Sequence, residues 1–142
     1  MPYFDLSPLE YASLGNQRRQ ATSQYGLGRA QIDYQRSQAA TANSQQMADL
    51  RRQYTQMREQ LPGGFAQRGL LNSGLYARAL KNYGTERQEA TNRAAQGYQE
   101  RLAGLDIEQR ATETSYSDAM AALAAEEQAR RAQIAATLRG IL

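Results

Sequence analysis

The side chains able to do chemistry in this sequence are carboxylates, hydroxyls, a single lysine and sixteen arginines. Histidine and cysteine are absent from all 142 residues. That removes an imidazole base, a thiolate nucleophile, a disulfide and a thiolate–zinc site at once. Glu86 and Glu89 stand three residues apart on one helical face, and Asp106 can meet Arg110 one turn later. A carboxylate-bridged di-iron site would want Glu-x-x-His pairs, which this chain cannot form. These carboxylates read as solvated helical faces laced with ion pairs. Ser73 with Lys81 is the remaining nucleophile–base pairing. It lacks the strand–turn–helix setting that exposes such a serine, and Ser73 is better explained as a cap or turn residue. The expectation is a chain without catalysis, cofactor or metal.

The arginines are the next candidate. They form doublets at Arg18–Arg19, Arg51–Arg52 and Arg130–Arg131, but the net charge is only +3. The surplus lies in residues 1–71, and residues 72–142 are neutral. A nucleic-acid face shows a denser basic stripe than this, so DNA is a secondary candidate partner. Ion pairing between helices is the preferred use of these cations. Arg18, Arg51, Arg68 and Arg130 are expected to face carboxylates or carbonyls of neighbouring subunits.

The elements that must position these groups are helical. Leu, Ile and Phe number 21 with no valine at all, while Ala and Gln supply 42 residues. Strands need β-branched residues, so a sandwich or a doubly wound α/β domain is excluded. Ser7-Pro8-Leu9-Glu10 reads as a helix start, with Ser7 capping, Pro8 in the first turn and Glu10 reaching back. From Tyr11 a stripe recurs at steps of three and four through Leu14, Arg18, Ala21, Tyr25, Gly28, Ile32, Gln35 and Ala39. A second register, Met47, Leu50, Tyr54, Met57 and Leu61, joins it through Asn43 by an extra step of four. Such a stutter locally unwinds a coiled coil. Leu61-Pro62-Gly63-Gly64 is expected to end this helix. After Asn72-Ser73-Gly74 a second stripe runs from Tyr76 through Leu80, Tyr83, Arg87, Ala90, Ala94, Tyr98, Leu102 and Leu105 to Tyr116 and Leu123, then weakly through Ile134 to Leu138 and Ile141. The reading is one helical unit over 1–142, with long helices near 8–61 and 75–139 and a corner at 62–74. Folding back as a coiled-coil-like hairpin is favoured over an extended rod.

Seven of the nine tyrosines fall on or near the stripes, which suits a seam that stays partly wet. A seam so poor in Leu and Ile hides little apolar surface, so the hairpin is expected to assemble as a homo-oligomer. The expected partner and oligomer contacts are Tyr11, Leu14, Tyr25, Ile32, Met47, Leu50 and Tyr54 in the first helix. Phe65, Arg68, Leu70 and Leu71 supply them in the corner. Tyr76, Leu80, Tyr83, Tyr98, Leu102, Leu105 and Tyr116 supply them in the second helix.

The segment 63–80, with Phe65, Arg68, Gly69, Leu70, Ser73 and Gly74 in the pattern F-x-x-R-G-L-x-x-S-G, resembles an element of small helical virion proteins of tailed bacteriophages. The resemblance covers 18 of the 142 residues and brings no catalytic residues with it. It implies a multi-copy structural part of a phage particle, near the head–tail axis or inside the virion, touching itself and other virion proteins. The alternatives are an internal protein ejected to help DNA cross the envelope, and a helical scaffold unconnected with phages. The opening Met-Pro-Tyr-Phe-Asp has no basic or apolar signal region, and the longest apolar run, 119–125, is far too short to span a bilayer. The amphipathic last stretch mixes Glu126–Glu127 with Arg130–Arg131, which disfavours a membrane surface. The implied location is the virion, assembled in the host cytoplasm.

Overall fold

Alanine, glutamine, glutamate and arginine lose little side-chain freedom in a helix, and they dominate both halves of this chain. A computed structural model describes residues 7–141, which form α1 (Ser7–Gln67, 61 residues) and α2 (Gly74–Ile141, 68 residues). No strand occurs among the described residues. The fold is the expected all-α helical hairpin. The expected capping box rests on the side chains of Ser7, Pro8 and Glu10, which lie outside the described residues, as does the Met-Pro-Tyr-Phe-Asp start.

The packing divides into two compact units. The first joins the α1 residues up to Asp33 to the α2 residues from Asp106 onward; the second is Tyr34–Leu105. In the first unit Leu14, Ile32 and Leu123 are buried. A Cβ placed on Gly28 would stand 3.3 Å from the Thr112 methyl, so the missing side chain is what permits this approach. Arg18 meets Glu127 and Tyr25 meets Tyr116, so numbers fall on α2 as they rise on α1. The second unit is antiparallel too, with Tyr54 against Tyr83 and Phe65 against Tyr76. Its buried residues are Ala39, Tyr83, Ala94 and Leu105.

The corner is shorter than expected and lies later. Pro62 does not end α1; it sits inside the helix, which continues to Gln67. Proline removes one i→i−4 bond but leaves the remaining bonds of the helix in place, and α1 runs on past it. Phe65 packs against Tyr76 with ring centres 5.3 Å apart. The helix then closes on Gly69, the one glycine among the described residues in the left-handed region (φ 67°). Gly69 N–H donates to the Ala66 carbonyl at 3.0 Å and Leu70 N–H to the Phe65 carbonyl at 2.9 Å, the paired bonds of a Schellman cap. Ser73 starts α2, because its hydroxyl oxygen accepts the Tyr76 N–H at 3.3 Å while its O–H donates to the Leu70 carbonyl.

Candidate functional site

The covered face of each helix is the stripe of three-and-four spacing. In the first unit Leu14, Arg18, Ala21, Tyr25, Gly28 and Ile32 are buried or half-buried, facing Gln109, Thr112, Tyr116, Met120 and Leu123. Tyr25 stacks on Tyr116 with centroids 4.5 Å apart and planes 19° apart, and the Thr22 and Tyr116 hydroxyls lie 3.4 Å apart. Tyrosine serves this seam by covering surface with its ring while its oxygen reaches the rim. Tyr11, expected on the same stripe, is exposed.

One ionic cluster holds this unit. Arg18 on α1 donates to Glu127 on α2, and Arg131 donates to the same carboxylate at 2.6 Å. The hydrogen bond from Arg18, reinforced by the positive charges of Arg18 and Arg131, holds the Glu127 carboxyl below its ordinary value despite some desolvation. Arg131 is raised by a hydrogen bond with the Tyr11 hydroxyl and by the charge of Glu127. Arg130 pairs with Glu126 at 2.6 Å. Arg18 and Arg130 were expected to face neighbouring subunits. Within the chain the hairpin turn brings Glu127 of α2 to Arg18, and Arg130 takes Glu126 one turn back on its own helix. No described carboxylate lies within ion-pair distance of Arg51 or Arg68, while Arg52 and Asp49 are 3.8 Å apart on the surface.

In the second unit Met47, Leu50, Tyr54, Leu80, Tyr98 and Leu102 are half-buried, and Leu105 and Tyr83 are buried. The Tyr83 hydroxyl donates to the Tyr54 carbonyl at 2.6 Å, and the Tyr54 hydroxyl to the Glu86 carbonyl at 3.4 Å. At the corner Phe65, Leu70 and Tyr76 are half-buried, while Arg68 and Leu71 are exposed. Most residues expected to touch other copies are engaged across the hairpin, Tyr11 among them through its exposed hydroxyl, while Arg68 and Leu71 face outward. Large apolar residues off the stripe escaped the spacing argument: Leu27, Tyr34, Leu75 and Ile107 are all exposed. Their one sequence signal is a bulky side chain out of register with the seam.

The chemistry available is limited by these commitments. The Ser73 hydroxyl both donates and accepts in capping α2, and no contact joins it to Lys81. No group of three or more acidic residues that could hold a metal is found among the described residues. None of the described helices is long and apolar enough to cross a membrane. Comparison of the chain with protein-family models, curated proteins and solved structures finds no match.

Proposed function

We propose that this chain is a multi-copy structural component of a phage particle, built by self-association of the hairpin, with no catalytic role. The observation that carries the multi-copy part is uncovered surface. The chain exposes 10904 Å², where a compact 15.8 kDa monomer exposes about 7,300 Å². The difference, about 3,600 Å², exceeds several standard protein–protein contacts of roughly 800 Å² per partner. Only a handful of side chains are buried among the described residues, and each unit is a single helix pair. Further copies, and other virion proteins, are the partners that would cover such faces. The particle itself is suggested by the resemblance of segment 63–80, whose glycine-capped corner presents Arg68 and Leu71 outward.

A second reading, an internal protein ejected with the genome, is favoured by the same corner. Residues 60–85 contain Arg68, Arg78 and Lys81 and no carboxylate, beside exposed Leu71 and Leu75. Quantitative mass spectrometry of particles purified from the encoding phage tests the first reading, which expects many copies per virion. Absence from the particle overturns both readings. Presence together with DNA affinity that falls about one logarithmic unit per contacted phosphate for each tenfold rise in salt favours the second.

A further inference from the structure

Folding gathers positive charge that the sequence spreads out. The unit Tyr34–Leu105 holds ten Lys and Arg against five Asp and Glu, and the stretch 51–87 alone holds seven against two. In the first unit Arg18, Arg130 and Arg131 are held in ion pairs, while Arg19 and Arg29 donate to Asn16 and Tyr25. Arg51, Arg58, Arg68, Arg78, Lys81 and Arg87 have no such partner among the described residues. Arg58 on α1 and Arg87 on α2 line one cleft of ≈ 650 Å³, with Gln88 and Thr91 beside them. Arg51 stands two turns before Arg58 on the same side of α1, and Lys81 two turns before Gln88 on the same side of α2. All four cations are exposed, and neither carboxylate of the stretch, Glu59 or Glu86, lines the cleft.

We infer that this face, Arg51, Arg58, Lys81 and Arg87, binds the phosphate backbone of duplex DNA without reading its sequence. The inference rests on the second reading above for its polymer and names the surface that meets it. Guanidinium forks match phosphate oxygens in pairs, and the Gln88 amide and Thr91 hydroxyl are uncharged donors of the kind that position a backbone. Arg51 and Arg58 lie about 10 Å apart, a distance that along a duplex axis passes about three phosphates of each strand. The one aromatic ring in the cleft, Tyr83, is buried with its hydroxyl committed to the Tyr54 carbonyl, so unstacked bases of a single strand find no platform there. A second copy is a poorer occupant. Glu126 and Glu127 of the first unit are already paired with arginines, and Arg110 stands between Glu108 and Glu113. A duplex instead offers unbroken negative charge, one per about 1.7 Å of its axis.

The test is fluorescence anisotropy of a labelled mixed-sequence duplex of about 30 base pairs with the full-length chain. Four phosphate contacts predict an affinity that falls about a hundredfold between about 50 and 200 mM salt. Arg58→Gln with Arg87→Gln should weaken binding at least about tenfold at the lower salt and reduce the salt slope by about two. Arg110→Gln with Arg139→Gln removes the same charge from exposed positions of the first unit and should leave both nearly unchanged. Arg58→Lys with Arg87→Lys keeps the charge and should restore the slope. A further readout needs no variant: Lys81 is the single lysine, and bound duplex should slow its acetylation by acetic anhydride at least about fivefold. If the unmodified chain binds no duplex at the lower salt, both this inference and the second reading fall. If the two glutamine pairs weaken binding alike, or Lys81 stays unprotected, DNA affinity and that reading stand and this face is the wrong one. If the Arg58 and Arg87 glutamine pair dissociates an oligomer in sedimentation while duplex affinity holds, another copy occupies the face and the inference is overturned.

Discussion

Glu127 shows what a single residue contributes when two chain segments 109 positions apart are brought together. Its carboxyl is held below the ordinary value of 4.5, first by the hydrogen bond from Arg18. A group depressed in the folded state stabilises above its unfolded value and loses that contribution as pH falls through the folded one. Glu127→Gln is therefore expected to lower the thermal midpoint at pH 7. The gap from the unmodified chain should close progressively as pH drops below about 4.5. A gap that persists unchanged at pH 2 would show that the side chain acts through packing instead. The arrangement was illegible in the sequence for a simple reason. Charge counting offers each arginine many carboxylates, and only the antiparallel register selects Glu127 for Arg18. The tyrosine seam was legible, since Tyr25 and Tyr116 both fall on stripes whose spacing already places them on covered faces.

At the scale of elements, the spacing of three and four found both helices and their inner faces, because that periodicity is itself the geometry of a helix side. It did not find the corner. Proline followed by two glycines is the stronger local stop signal, yet α1 passes through Pro62 and closes seven residues later on the Gly69 cap. Tertiary packing of Phe65 on Tyr76, which no local rule reports, accompanies that extension. The two candidate corners respond oppositely to alanine. Gly69→Ala forces a Cβ into the left-handed region and should cost about 1–2 kcal/mol in urea denaturation. Gly64→Ala lies within the helix, with nothing within 4 Å of the added Cβ, and should stabilise by up to about 1 kcal/mol. If Gly64→Ala is the damaging substitution, α1 ends where the proline suggested.

For the whole molecule the governing fact is how little of each helix pair is buried. Leu14, Ile32, Leu105 and Leu123 are the large aliphatic residues that are buried among those described, none of them completely, and alanine supplies much of the rest. Ala contributes far less transfer free energy than Leu, at roughly 25 cal/mol per Å² of apolar surface covered. Exposed Leu27, Tyr34, Ile107 and Leu138 meanwhile add apolar surface on the outside. On the proposed assembly such a chain draws part of its stability from neighbours, and that dependence becomes a measurable slope. For a dimer, each tenfold increase in concentration adds about 1.4 kcal/mol per mole of dimer to the folded side. The thermal midpoint should therefore climb steadily from low to high micromolar chain. Added salt should move it only slightly, since the exposed ion pairs are individually weak. A midpoint independent of concentration over a hundredfold range would mean that the hairpin holds itself, and the uncovered faces would need another explanation.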